Sequence, residues 1–437
     1  MKRRFLFLTA ILCIVFYGCE KDDTNDLELS QSSFNNVSSE GETLEVDITS
    51  NSEWQISKTA QWCTVTPNKG SGNQKLSIQI EANLGSKERK VTITVTPSNG
   101  TSKKIEITQE AGYTTIEQYH YQLPVIFHVF YKDKSDPEQY VSANRLAAIM
   151  NEVNRKYKDI AHSIDMNLSL TLATTDAKGN TLSTPGVEYI QWPESYPIDC
   201  DLFMNDNINK GGKGYVKYLW EPNNYINVMV YNFTQDKASA GTTLGISHLP
   251  FTSKGKNSLA GTNITDNSYL ELENLPFPYC VSINSLFIDE QSTATNYNTF
   301  DVTVTLAHEL GHYLGLHHVF SEAEDSKSCE DTDYCEDTPS YNIEAYNADC
   351  EYIYKNDRAN YTFKNLVKRS NCNDEEFTSY NIMDYSISYS DQFTPNQRTR
   401  VRHILMYGLL IPGPKKDQAS TRSVHDGVLD LPIRTLR

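Results

Sequence analysis

His308, Glu309, His312, His317 and His318 fall within the eleven residues HELGHYLGLHH, four imidazoles and one carboxylate in a short run. A helix advances about 100° per residue, so His308 and His312 lie about 40° apart on one face and can offer nitrogens to a single ion. Glu309 stands beside the first of them, where its carboxylate can hold a water polarised by that ion and take its proton. A catalytic zinc commonly has three protein ligands and keeps a fourth position for water. The third ligand must therefore come from beyond the helix, because in a continued helix residue 318 would sit about 240° round from His312 and face away. Gly315 supplies the break, since glycine can take the left-handed conformation that ends a helix and reverses the chain. His318, three residues past that turn, then swings back under the ion. His317 points away, as a supporting or surface histidine, because a fourth imidazole would close the water position.

The spacing HExxHxxGxxH resembles the metzincin signature. That resemblance implies a second feature, a methionine turn, and Met383 in NIMDYS lies 65 residues beyond His318. Its thioether would form an apolar floor beneath the imidazoles, a role not far from that of any core methionine. Tyr385, otherwise one tyrosine among 27, is implied by the same match to stabilise the oxyanion formed at a peptide carbonyl. The resemblance is close to the pappalysin (cytophagalysin) branch, through HELGHYLGLHHVF, DYCEDTP (333–339), NIMDYS and FTPNQRTRVRHIL (393–405), and runs from about 123 to 412. It implies a zinc-dependent endopeptidase with zinc on His308, His312 and His318, Glu309 as general base and Tyr385 assisting. Some relatives bind structural calcium near the DTP loop, where Asp333 and Asp337 could contribute oxygens; an acidic surface loop is an equal reading. Thr332 and Cys335 stand where the family usually has Gly and Val. Cys329, Cys335, Cys350 and Cys372 lie where relatives carry disulfides. Four cysteines allow three pairings and the sequence does not choose among them. Their irregular spacing, 6, 15 and 22 residues, speaks against a second zinc.

The elements that must position these residues are legible in the apolar pattern. LPVIFHVFY (123–131) reads as a buried strand, and Leu146, Ile149, Met150, Val153 and Tyr157 recur at helical spacing within 142–158. Strand-like runs follow at 166–173, 225–231 and 281–288, an α/β arrangement that leads into a buried helix over 301–314. GISHLP (245–250) is a candidate edge strand to align a peptide by strand addition. Thr394 and Pro395 open a last helix that Gly408 closes. Residues 413–437 form a tail without clear periodicity.

Upstream, residues 43–109 alternate apolar and polar positions (Leu44/Val46/Ile48, Leu76/Ile78/Ile80, Val91/Ile93/Val95, Ile105/Ile107) between turn signals such as PNKG and PSNG, as in a small antiparallel sandwich. NSEWQIS, QWCTVTPNKGSGN and ITQEAG resemble a BACON domain over about 29–112, which implies an immunoglobulin-like fold and a carbohydrate or mucin partner. Trp54 and Trp62 could stack on sugar, although a tryptophan in so small a sandwich more often fills the core. Cys63 reads as a buried strand thiol; the other reading, a cysteine that caps the zinc in a latent form, comes from some relatives.

At the N-terminus, Lys2, Arg3 and Arg4 precede an apolar run too short to span a membrane, as in a secretory signal. Phe16-Tyr17-Gly18-Cys19 resembles a lipobox with Cys19 acylated, and Glu20-Lys21-Asp22-Asp23 resembles the acidic tag that directs Bacteroidetes lipoproteins to the cell surface. Export permits disulfides, and seven cysteines beyond Cys19 leave at least one thiol free. A formal charge of -17 argues against a nucleic acid partner. The expectation is a multidomain outer-membrane lipoprotein: signal peptide 1–18, linker 19–28, all-β immunoglobulin-like sandwich 29–112, linker 113–122, α/β metzincin-type zinc protease domain 123–412 and tail 413–437. The competing reading is a glycan- or mucin-binding surface adhesin with a structural metal, in which Glu309 would have no task.

Overall fold

The computed structural model describes residues 27–437 apart from 61, 84–86, 112–117, 159–162, 177, 235–241, 294–295, 326–327, 386 and 417–426. The signal segment and Cys19 lie outside the described residues, as does half of the expected linker 113–122, whose last two residues belong to the strand Tyr121–Tyr131. Among the described residues no helix is long and apolar enough to cross a membrane.

Two separate hydrophobic cores divide the chain. Residues 27–109 fold into two sheets, one of four strands and one of five. The period-two pattern buries one face of each strand: in Glu42–Ser50, Val46 and Ile48 point inward, and in Arg89–Pro97, Val91, Ile93 and Val95 do. Trp54 and Trp62 are 3 % and 7 % exposed and belong to this core, so neither face is free to stack on a sugar. Cys63, on Cys63–Thr66, is fully buried there, and burial pushes its thiol up to about 12. A thiol so placed cannot cap a metal in the other core.

The second core is built on a mixed sheet. Leu168–Leu172 and Val187–Gln191 both pair in parallel with Tyr121–Tyr131, which continues in parallel to Ile226–Tyr231 and Val281–Asn284. Every residue of Ile226–Tyr231 is buried, as expected for a central strand covered on both faces. Gly245–His248 then adds antiparallel to Val281–Asn284. The helix Ala143–Lys156 is capped by Ser142 and buries Leu146, Ile149, Met150 and Val153 against the sheet, the face expected from spacing. Its neighbour Tyr157 is also buried and donates its hydroxyl to the Ala307 carbonyl at 2.9 Å, which ties this layer to the helix Val302–Tyr313.

Residues 413–437 are not merely a tail. Leu431 is buried in the core, and Thr435–Leu436 pairs antiparallel with Gly245–His248. A two-residue strand is too short to show a period in sequence.

Candidate active site

The helix Val302–Tyr313 starts at Asp301, whose carboxylate accepts from the Thr303 amide at 2.8 Å and the Thr303 hydroxyl at 2.7 Å. Every residue from Leu306 to Tyr313 is buried. Two backbone bonds close the far end: Gly315 donates to the His312 carbonyl and Leu316 to the Gly311 carbonyl, both at 2.9 Å. This Schellman turn needs the left-handed φ of +92° found at Gly315. An added Cβ would also stand 2.7 Å from Ile404 Cγ1, so packing and backbone both call for glycine.

The turn brings His318 to the other two histidines. His312 Nε2 lies 3.0 Å from His308 Nε2 and 3.2 Å from His318 Nε2. Each Nδ1 has an acceptor of its own: the Ile382 carbonyl at 2.8 Å for His308, the Leu316 carbonyl at 2.8 Å for His312, and Glu322 Oε1 at 2.7 Å for His318. Those acceptors assign the protons to Nδ1 and leave three bare Nε2 lone pairs facing one another. Three acceptors this close repel unless a cation stands among them. Nitrogens about 2.05 Å from a tetrahedral zinc are about 3.3 Å apart, so the donor set fits that ion. Burial, and next the neighbouring His318, hold His308 down to about 3, and burial puts His312 well below its usual range. Neutral imidazole is the form that binds metal. Among the described residues no other group of three His, Cys, Asp or Glu side chains is close enough to share an ion.

His317 is buried, not on the surface. Its Nε2 lies 3.1 Å from the Gly261 carbonyl and its Nδ1 3.5 Å from Glu322 Oε2, away from the three converging nitrogens.

Glu309 is 2 % exposed, and its Oε2 is buried with no hydrogen-bond partner. Burial pushes its carboxyl well above the usual range, which suits a group that must pick up a proton. Behind it stands Gly245, where an added Cβ would meet Glu309 Cγ at 2.5 Å.

Met383 is fully buried, and Gly311 makes room for it: a Cβ there would stand 2.4 Å from the Met383 sulfur. Asn381 Oδ1 accepts from the Met383 amide at 2.9 Å, while Asn381 and Gln397 exchange two amide hydrogen bonds, both at 3.0 Å. Gln397 belongs to the helix Pro395–Tyr407, capped by Thr394, so the FTPNQ stretch fixes the NIMDY turn. Asp384 pairs with buried Arg369 at 3.1 Å and accepts from the Tyr341 and Ser379 hydroxyls. Tyr385 lies with its ring 4.7 Å from that of His318 and 6.3 Å from that of His308. Its hydroxyl donates to the Arg437 carbonyl, and burial, ahead of the charges of Glu309 and Glu322, raises its pKa.

Among the described residues, Asp333 and Asp337 belong to no group of three His, Cys, Asp or Glu side chains close enough to share an ion. Asp333 accepts from the Thr338 hydroxyl at 2.6 Å and the Cys335 amide at 2.8 Å. Asp337 accepts from the Thr394 hydroxyl at 2.7 Å and the Asn396 amide at 2.9 Å, and so braces the start of the last helix. Of the four nearby cysteines, Cys329 and Cys372 form a disulfide while Cys335 and Cys350 remain thiols. A cleft of about 1000 Å³ opens over the site, lined by His308, Glu309, Tyr385, Gly245, Asp201 and Arg437. The edge expected to receive a peptide, GISHLP, is already paired with Thr435–Leu436.

Residues 209–406 match the family model for peptidase M43, pregnancy-associated plasma protein-A, and residues 52–110 match BACON, "Putative binding domain, N-terminal". Residues 209–406 thus resemble the pappalysin family of metalloproteases, behind a BACON-like N-terminal segment. Among curated proteins, this pappalysin-like chain is 35 % identical over 109 residues to an extracellular metalloprotease of Arthroderma benhamiae, which is 24 % of this chain and 32 % of that one. It is 31 % identical over 110 residues to a xyloglucan-specific endo-beta-1,4-glucanase of Bacteroides ovatus, 24 % of this chain and 22 % of the relative. The chain thus spans less than a third of these relatives' lengths. Tannerella forsythia mature mirolysin in complex with a cleaved peptide is a similar solved structure, with 18 % identity, a TM-score of 0.40 and coverage of 64 % of this chain and 90 % of that one.

Gly245, Glu322 and the Asn381–Gln397 pair were not singled out from sequence. Gly245 lies in the quoted GISHLP, and Asn381 and Gln397 lie in the motifs NIMDYS and FTPNQ, whereas Glu322 had no signal.

Proposed function

We propose that this metalloprotease is a zinc-dependent endopeptidase, with His308, His312 and His318 holding the ion, Glu309 as general base and Tyr385 as oxyanion donor. One observation carries the reading: three imidazoles whose Nδ1 protons are committed elsewhere present bare Nε2 atoms to one point, beside a buried carboxylate oxygen that has no partner. When bound there, zinc supplies Lewis-acid polarisation of water and of the peptide carbonyl. Glu309 takes a proton from the attacking water and passes it to the leaving amine. The Tyr385 hydroxyl turns to the oxygen of the attacked carbonyl as charge develops on it. Met383 and the burial of the helix keep bulk water from beneath the rings.

Export and acylation at Cys19, giving a cell-surface lipoprotein of the outer membrane, are part of the same proposal. So is a carbohydrate or mucin partner for the N-terminal domain, which must then be met by side chains other than Trp54 and Trp62. The unpartnered Glu309 weighs against an adhesin with a structural metal, since a structural site needs no base. The test is Glu309→Ala: bound zinc stays near one equivalent while casein or gelatin cleavage falls by at least a hundredfold. Undiminished cleavage by that variant removes the proposal.

A further inference from the structure

We infer that an aromatic pocket bounded by Tyr297, Tyr361, Phe363, Leu366, Ile387 and Tyr389 receives a bulky apolar side chain, aromatic by preference, of a peptide substrate, on the C-terminal side of the scissile bond and beyond the residue next to it. The inference rests on the endopeptidase reading and adds a recognition site that the proposed chemistry does not use.

The cavity measures about 680 Å³ and, among the described residues, no charged side chain lines it. The catalytic cleft beside it carries Asp199, Asp201, Asp301, Glu309 and Asp384, so the two spaces differ in chemistry. An uncharged space lined by rings favours an apolar occupant, because a charge buried there would have no partner. The rings form a box: the Phe363 centroid lies 3.9 Å from that of Tyr297 and 5.2 Å from that of Tyr389, the latter pair at 88°. Tyr361 and Tyr389 are 37 % and 39 % exposed, so part of each ring remains available to a further ring.

The pocket is held in shape by its surroundings. Its walls include the segments 361–366 and 387–389, which one buried guanidinium ties together: Arg369 donates Nη1 to the Leu366 carbonyl at 2.9 Å and Nη2 to the Ile387 carbonyl at 2.8 Å. Tyr346 donates its hydroxyl to the same Leu366 carbonyl at 2.7 Å. The walls are therefore set before a ligand arrives, which lowers the ordering cost of binding.

The occupant follows from continuity with the cleft. Tyr297 and Thr299 line both spaces. Thr435–Leu436 shows which way a chain runs on the edge strand, from His248 toward Gly245. Strand addition uses backbone bonds that any peptide can make, so a substrate aligned in the same sense runs the same way. The open cleft lies ahead of such a chain, beside Thr242, Thr243, Leu244 and Gly245, where Gly245 meets Glu309. Residues that follow the attacked carbonyl thus enter the part of the cleft that shares a wall with the pocket. Val304, Thr305 and His308 line the cleft itself, so the residue next to the scissile bond is met there and a later one reaches past Tyr297.

The test uses the full chain and two variants, Tyr361→Ala, which removes a wall, and Ile387→Trp, which fills the cavity. Cleavage is measured on peptides carrying Phe or Ala at each position after the one next to the scissile bond, and binding of the same peptides is followed by anisotropy in a Glu309→Ala background. Burying one aromatic side chain implies at least about tenfold higher kcat/KM and affinity for Phe than for Ala at one of these positions, carried by KM. Both variants should erase most of that difference. Equal handling of Phe and Ala at every position, or a preference that survives both variants, overturns the assignment. Variants that alter self-association in size exclusion but not peptide preference would give the pocket to a second copy of the chain and overturn it too. Phe-dependent binding with no cleavage of any peptide by the chain that retains Glu309 upholds the pocket and rejects the endopeptidase reading instead. Peptides that neither bind nor are cut remove both.

Discussion

Gly245→Ala separates metal binding from catalysis without touching a ligand or the base. Gly245 lies in a strand and outside the left-handed region, so alanine costs nothing in backbone conformation. The added methyl would stand 2.5 Å from Glu309 Cγ and 2.8 Å from its Cδ. Carbon atoms in contact prefer about 3.5 to 4.0 Å, so one side must yield by about 1 Å. The strand is held by its pairing to Val281–Asn284 and is buried along its length, so Glu309 is the group that moves. Misplacing a catalytic group by about 1 Å costs roughly a hundredfold in rate, or about 2.7 kcal/mol of transition-state stabilisation. Overpacking adds about 1 to 3 kcal/mol of lost stability. Zinc content by atomic absorption, Tm and kcat on a fluorogenic peptide check this together. Zinc should remain at the wild-type level, Tm should fall and kcat should drop about a hundredfold. A variant that keeps zinc and its full kcat would refute the claim that Gly245 seats the base.

His248 and Glu322 make two further cases. His248 is buried, accepts the Cys280 amide on Nδ1 at 3.2 Å and donates Nε2–H to the Met204 carbonyl at 3.0 Å, a pattern complete only in the neutral ring. Burial lowers its pKa to about 4 from 6.5. The unfolded chain then binds the proton first, so the stability is fully present above about 6.5 and is lost as pH falls toward 4, by about 3 kcal/mol. Urea unfolding of wild type and His248→Gln at pH 7 and pH 4 should show the larger pH effect in wild type, and equal pH effects would contradict it. Glu322→Ala removes the Nδ1 acceptor of His318 and should weaken zinc about 10- to 100-fold in a chelator competition; unchanged affinity would mean that His318 needs no such partner.

Local chemistry was the most legible part of this sequence. Two ring positions on one helix face, a glycine where the chain must reverse and period-two runs in the strands are all set by near neighbours, and the helix Val302–Tyr313 ends where Gly315 says it should. What escaped is set by backbone or by distant partners. The acceptors for His308 and His312 are the carbonyls of Ile382 and Leu316, which carry no residue signature. Gly245 looks like any strand glycine until Glu309, 64 positions later, is packed against it. Cys329 and Cys372 are joined across 43 residues, a choice that spacing does not encode. Thr435–Leu436 is too short for periodicity, so residues expected as a tail turned out to lie on the strand reserved for a peptide.

In the proposed reaction, one four-residue strand bears on both halves. At one end of Gly245–His248 the backbone presses against Glu309; at the other, Ser247 and His248 pair with an extended chain. The strand itself is anchored on the buried side by Val281–Asn284 and by the His248 ring. The distance from the base to a bound peptide backbone is therefore fixed by a single rigid segment rather than by closure of the opposite wall. The histidine rings are oriented by different groups, with Nδ1 held by the Met383 turn, the Gly315 turn and Glu322. Changes in the strand should then alter kcat and KM together with zinc intact, whereas changes in those turns should reach the rate through the metal. Glu309 shares the helix Val302–Tyr313 with His308 and His312, but its carboxylate is seated by the strand while the ring Nδ1 atoms are held by other groups, so in the proposed reaction base placement and ion binding can fail independently.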